Sequence, residues 1–482
     1  MNFARDVVDA APAGDRALVA ITREGERREW TFGEVADASA RLAGTLAARG
    51  VTRGDVVMTL IGNRPEWVLT MVACFRIGAV ALPCNEQLRA KDLRQRLEAA
   101  QPKLIVADAR NATELGAAAP DETRTRIILI PDESVFSAQP APAVELEPTD
   151  PCLITFTSGT TGEAKGIVHG QRYLPGQRLQ ATHWLGGRAG DLVWCTAASG
   201  WSKSARNVFI APWLTGAAAL LHDARFDPAQ RLEILAAENV AVLCMAPTEY
   251  RVIAKRVELH PVPSLHGLVA AGEALNPEVL RAFKEAMGLE IRDGYGQTET
   301  GQLTGVPAGG TVRPGSMGRP LPGVALEVDD GELVLADPRT DPTFFVATLG
   351  GPPSPEDQPW RTGDRVTADG DGYLFFEGRT DDVIISAGYR IGPFEVESAL
   401  VSHGAVAEAA VVAAPDQERG AVVRAVIVLR DGYSPSDALI TELQDHVKHE
   451  TAPYKYPRIV DFTAELPKTA SGKVQRAVLR GT

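Results

Sequence analysis

Residues 157–166 read TSGTTGEAKG, which puts three glycines, four hydroxyl side chains and one lysine into ten positions. Glycines let a backbone approach phosphate closely, while N–H groups, hydroxyls and the Lys165 ammonium donate to its oxygens. The spacing differs from the Walker loop, which needs a lysine directly after its second glycine. Here Glu163 and Ala164 separate Gly162 from Lys165, so a kinase- or GTPase-type loop is disfavoured. Glu299, inside GYGQTET (294–300), is a hard oxygen donor of the kind Mg²⁺ takes when it keeps most of its waters. Asp364, in RTGD (361–364), is acceptor-only and suits a pair of ribose hydroxyls. Lys473 closes LPKTASGK (466–473) in a Gly-Lys turn loose enough to reach a distant anion.

These residues need a scaffold, and the chain supplies one. Its 482 residues suffice for two or three domains, and 45% hydrophobic with 23% charged residues is ordinary for a globular protein. A formal charge of −13 argues against nucleic acid or an acidic membrane surface as the main partner. The five scattered cysteines, without a C-x-x-C pair, predict reduced and mostly buried thiols. The eight histidines show no ligand spacing, which disfavours zinc. The charged N-terminus lacks an apolar signal core, and the expected location is the cytoplasm, with no stable membrane insertion. Homo-oligomerisation is left open.

Short apolar runs alternate with helix-period segments through the first part. TFGE (31–34) is a capping-box signature, DVVMTLIG (55–62) and KLIVAD (103–108) are strand-like, and Pro65 suits a helix's first turn. After residue 301 the texture turns to Gly/Pro-rich loops and short strands. The expected fold class is α/β: a large multi-layer N-terminal domain with mixed and parallel sheets over 1–380, and a small mobile α+β domain over 381–482.

TSGTTGEAKG, GYGQTET, RTGD, GRTDDVIISAGYRIGPFEVE (378–397) and LPKTASGK occur in the order seen in the adenylate-forming superfamily. The chain resembles that superfamily, which includes acyl-CoA synthetases, peptide-synthetase adenylation domains and luciferases. GWSKS (200–204), APTEYR (246–251), GEALNPEV (272–279) and APYKYPR (452–458) resemble the medium-chain acyl-CoA synthetases most. The resemblance implies ATP, Mg²⁺ and CoA as reactants and cofactor, with an acid of medium-chain or aromatic size. The acid is adenylated with loss of pyrophosphate, and CoA then displaces AMP. It assigns the phosphates to Thr157, Ser158, Gly159, Thr160, Thr161, Gly162, Glu163, Ala164 and Lys165. Gly272, Glu273 and Ala274, with Asp293, Gly294 and Tyr295, wall the adenine, and Gly296 and Gln297 continue the nucleotide contact. Thr298 touches the α-phosphate and acyl carboxylate, Glu299 binds the metal, and Lys473 bridges carboxylate and α-phosphate. Asp364 holds the ribose and Arg379 contacts the nucleotide.

The same resemblance puts a hinge at Asp381, about which the small domain turns between half-reactions. Adenylation needs Lys473 inside the site, whereas thioester formation needs it withdrawn and a thiol admitted. It implies CoA contacts at Ala387, Gly388, Tyr389 and Arg390, and weaker ones at Arg419, Lys448, Tyr456 and Arg458. Trp201 falls in the acyl region; Lys203 either meets a polar substrate tail or points to solvent. The loop departs from most relatives at Ala164, where proline is usual, and Glu163 adds a negative charge beside the phosphates. Two rival readings are an enzyme that loads a carrier protein and a nucleotide-binding regulator without catalysis.

Overall fold

The computed structural model describes residues 1–119, 126–157, 165–272, 275, 277–387, 389–468 and 474–481. Among them, two large sheets dominate. One runs in the order Arg319–Pro320, Gly301–Gly305, Ile291–Gln297, Gly267–Ala271, Val242–Met245, Leu192–Cys195, Ala218–His222, Arg16–Ile21, Arg27–Thr31. Its six inner strands, from Ile291–Gln297 to Arg16–Ile21, are parallel, and the flanking pairs are antiparallel. The other runs Ala347–Thr348, Lys165–Gly170, Pro151–Thr157, Val80–Cys84, Val56–Leu60, Leu104–Asp108, Ile127–Ile130, again with a parallel centre. A smaller antiparallel sheet holds Leu326–Asp329, Glu332–Leu335, Trp360–Ala368 and Leu374–Arg379.

Local sequence explains the main elements. The Thr31–Glu34 capping box forms in both directions and starts the helix Phe32–Ala48. Pro65 opens the helix Pro65–Ile77, and Gly78, at φ 73°, ends it. Every residue from Trp67 to Ile77 is buried, including Arg76, which pairs with Asp9. A helix apolar on all sides belongs inside a layered core, and its Trp67 ring meets Phe209 edge-on at 5.8 Å.

From residue 384 the chain builds a separate sheet of Tyr389–Ile391, Ile384–Ser386, Gly420–Leu429 and Val406–Asp416, with Ile459–Phe462 parallel to Gly420–Leu429. Helices Pro393–Ser402 and Asp437–Glu450 close its own apolar core around Val396, Leu400, Ile427 and Leu443. No helix among the described residues is long and apolar enough to cross a membrane.

Candidate active site

Two hairpins and one strand pair frame the site. Pro151–Thr157 and Lys165–Gly170 pair antiparallel, with Thr157 opposite Lys165 and the phosphate-type loop between them. The loop positions expected from sequence, Ser158, Gly159, Thr160, Thr161, Gly162, Glu163 and Ala164, lie outside the described residues, as do Glu273, Ala274, Gly388 and Lys473. Ile291–Gln297 and Gly301–Gly305 form the second hairpin, and Thr298, Glu299 and Thr300 make its turn. The turn is tied down: Phe345 N–H donates to the Glu299 carbonyl at 2.8 Å, and Thr343 Oγ1–H to the Thr300 carbonyl at 2.6 Å. Only glycine fits position 296, because a Cβ there would sit 1.8 Å from the Gly301 carbonyl oxygen.

Asp364 is the meeting point. It is buried, and its Oδ2 accepts from the Tyr295 hydroxyl and from Gln297 Nε2 at 2.8 Å. Its Oδ1 pairs with Arg379 Nη1 at 3.2 Å, across the register of Trp360–Ala368 and Leu374–Arg379. Gln297 and Arg379 also share the Thr362 carbonyl, at 2.7 and 3.0 Å. Residues separated by more than sixty positions thus converge on one carboxylate. Burial raises the Glu299 carboxyl above its ordinary pKa, against the opposing pull of Arg379 and Lys165. A desolvated carboxylate gains from a cation and suits an ion that takes few protein ligands; among the described residues no three acidic, His or Cys side chains are placed to hold a metal together.

The positions expected to wall the adenine show a further feature. Asp293 is buried and its carboxyl is pushed up to about 8 by desolvation, with a backbone N–H and Lys203 opposing. Lys203 is half-buried and does not hang free; its Nζ donates to the Ala271 carbonyl at 2.5 Å, beneath Gly272. Gly272 holds φ at 101°, and a Cβ there would lie 2.5 Å from Lys203 Nζ. Trp201, half-buried, precedes the helical run 202–214, and Gly200 packs so closely on Asn85 that a Cβ would come within 2.3 Å of its N.

The positions expected to contact CoA lie in the C-terminal unit, on its small sheet, its helix Asp437–Glu450 and the segment that follows. Ala387, at φ 48°, donates its N–H to the Arg419 carbonyl at 3.0 Å. Exposed Tyr389 stacks on Tyr454 with ring centroids 4.3 Å apart. Lys448 and Arg458 lie over the Tyr456 ring at 4.5 and 4.8 Å. Arg390 follows Tyr389 in the strand Tyr389–Ile391. Asp381 is exposed in the turn after Leu374–Arg379, 3.5 Å from Arg379 Nε.

One feature was not read from sequence. A cleft of about 550 Å³ lies where Arg16–Ile21, Val80–Cys84, Leu104–Asp108 and Ala218–His222 end at their C-terminal edges. Arg23, Arg89, Arg110 and Arg225 line it with Glu86 and Phe226. Arg110 is spent on Asp108, Glu86 and Asp223, whereas Arg225 has no carboxylate partner among the described residues. No sequence motif marks it, because its arginines come one at a time from four strand ends.

A carboxylate–guanidinium pair that receives Tyr295 and Gln297 from the end of a parallel strand, with Lys165 acting on neighbouring Glu299, is the arrangement of a nucleotide-dependent α/β enzyme. The chain belongs to the AMP-binding enzymes: the family model of that description matches residues 5–339, and the AMP-binding enzyme C-terminal domain matches 395–473. It is 38% identical to human "Acyl-coenzyme A synthetase ACSM4, mitochondrial" over 99% of this chain and 90% of that protein. It is 36% identical to the "Uncharacterized acyl--CoA ligase YtcI" of Bacillus subtilis (strain 168), over 99% and 95%. Among solved structures it resembles the anthranilate CoA ligase AuaEII in complex with anthranoyl-AMP, with TM-score 0.87, 29% identity and coverage of 100% and 97%. The protein is an ATP-dependent, AMP-forming acid–CoA ligase of α/β fold, and its substrates are a carboxylic acid, ATP and CoA.

Proposed function

We propose that the acid is of medium-chain or aromatic size and that the two half-reactions are divided among the residues as follows. Lys165 and its loop hold the β- and γ-phosphates, Asp364 grips the ribose, and Arg379 steadies both Asp364 and the nucleotide. Thr298 meets the α-phosphate and the acid, while Glu299 holds Mg²⁺, which supplies charge neutralisation on the phosphates. Lys473 offsets the repulsion as carboxylate oxygen attacks the α-phosphorus and pyrophosphate departs. Residues 1–380 then act as one domain and 381–482 as a second that turns at Asp381, bringing Ala387 to Arg390 to the thiol. CoA thiolate adds to the acyl carbonyl and AMP leaves with the electron pair of the broken C–O bond. Positioning of the two anions supplies much of the acceleration, on the order of 7–11 kcal/mol in well-aligned cases.

The observation carrying this reading is the convergence of Tyr295, Gln297 and Arg379 on buried Asp364 beside Glu299. The arginine cleft supports a place for the CoA phosphates, since it adjoins the Asn85 loop on which Gly200, next to Trp201, is packed. Five buried, unpaired thiols favour a reducing, cytoplasmic setting. An acid panel from acetate to dodecanoate, with benzoates, tests the size assignment through CoA-dependent AMP release. A maximum at medium chain length or among the benzoates is expected; activity confined to acetate and propionate refutes it.

A further inference from the structure

The helical run 202–214 is irregular. Its middle, Arg206–Ile210, is a π-helical segment, as is Ala181–Leu185 nearby in sequence, and such segments concentrate at functional sites. Lys203, Arg206 and Asn207 stand three and four positions apart and so share one face. That face looks onto the strand ends of the site: Lys203 onto Ala271, Asn207 onto Cys244 at 4.0 Å, and Arg206 onto the hairpin that carries Glu299. Arg206 Nη1 lies 3.6 Å from where a Gly301 Cβ would be, two residues past Glu299.

Arg206 is only 2% exposed, and neither its Nε nor its Nη1 has a hydrogen-bond partner. No carboxylate among the described residues pairs with it. Asp341 feels its charge but spends Oδ1 on Thr343 and leaves Oδ2 unpartnered. Arg172, the other cation near Asp341, is taken by Glu356. His169, which also faces Arg206, is held neutral by burial and by the guanidinium itself. Asn207 Oδ1 and Gln302 Oε1 are likewise buried without partners. A buried guanidinium with two N–H groups unbonded and no paired carboxylate is costly, and those two donors call for an oxygen acceptor. An all-apolar acyl chain would leave both Arg206 donors, Nε and Nη1, unsatisfied.

We propose that Arg206 is a specificity-determining residue of the acyl site, and that the acid carries, besides the carboxyl that is activated, a second oxygen acceptor that pairs with this guanidinium. The acceptor is a carboxylate or a keto oxygen, and it takes its hydrogen bond from Arg206 Nε or Nη1. This rests on the ligase reading and narrows its substrate.

The test is a set of matched acids assayed by CoA-dependent AMP release: glutarate and levulinate against pentanoate, and adipate against hexanoate. Wild type should prefer at least one oxygen-bearing member by roughly tenfold or more in kcat/KM, because a site built to bond an oxygen rejects the analogue lacking it. The dicarboxylate and keto arms tell which acceptor it is. Arg206→Leu should collapse that ratio and spare the plain acid, while Arg206→Lys should keep part of it. Preference for the plain acid in every pair overturns the proposal, and this reading needs no variant to fold. An equal loss for both members in Arg206→Leu also overturns it, as a purely structural arginine would behave so. Silence toward all acids, these and the longer panel alike, would instead strike the ligase reading.

Discussion

At the scale of single residues, chemistry turns on which charges are paired before substrate arrives. Asp364 is fully committed in this structure, to Tyr295, Gln297 and Arg379, so the ribose proposed to bind it would have to share or displace those donors. Its pairing with Arg379 was legible only as two separate motif residues. The Tyr295 and Gln297 contacts were not, since nothing local ties positions 295 and 297 to 364. Lys473 is expected to serve one half-reaction alone. Lys473→Ala should lower acid-dependent pyrophosphate exchange by about 10²–10³, the usual loss when a donor to developing charge is removed. Thioester formation from preformed acyl-AMP should stay near wild type, and surviving exchange would dismiss the assignment. Asp293 makes a different demand. Its folded pKa of about 8 lies far above 3.8, so between those values the folded chain holds a proton that the unfolded chain has released. Stability must therefore fall as pH rises through that window and level off above it. Asp293→Asn removes the ionisation, so its advantage in Tm over wild type should grow from pH 5 to about pH 8; thermal melts showing a pH-independent gap would contradict the buried-carboxyl account.

At the scale of elements, the pattern of periodicity and caps carried well. The Thr31–Glu34 box, Pro65 at a first turn and Gly288 after the helix Pro277–Met287 each stand where local backbone chemistry puts them. What periodicity could not give is the order of strands, which brings residues from distant parts of the chain to one edge. The arginine cleft is the case in point: Arg23, Arg89, Arg110 and Arg225 meet only because four strands end on the same side. Nor does any local signal announce the switch from α to π geometry at Arg206. If the cleft takes the CoA phosphates, Arg89→Ala combined with Arg225→Ala should raise KM for CoA several-fold and leave pyrophosphate exchange unchanged. The effect should weaken in high salt, because both side chains are exposed and screened. Steady-state kinetics over a CoA series decides it; an equal rise in KM for ATP would place the cleft's influence elsewhere.

At the scale of the whole molecule, the proposed pair of half-reactions requires one site to present two incompatible sets of groups. The segment 378–397 joins the antiparallel sheet that ends at Arg379 to the small sheet that begins at Ile384, and both ends are anchored. Arg379 is held by Asp364, while Asp382 is held by Arg476 and Arg480. Between these anchors Asp381 is exposed, its carboxylate 3.5 Å from Arg379 and its carbonyl accepting from Arg480 at 3.3 Å. A short stretch with few contacts between two fixed ends is where a rotation costs least. Asp381→Pro fixes one backbone dihedral there and gives up the carboxylate's contact with Arg379, while the Asp364–Arg379 pair and the pairs of Asp382 stay in place. Acid-dependent pyrophosphate exchange should then persist while thioester formation from preformed acyl-AMP falls by about a hundredfold or more, a barrier of at least ~2.7 kcal/mol. A non-hydrolysable acyl-adenylate analogue should raise Tm equally in variant and wild type, since binding to the folded state contributes RT ln(1 + [L]/Kd) whichever way the small domain can turn. Loss of both half-reactions together, or of the thermal shift, would show that residue 381 supports the site itself and not the exchange between its two faces.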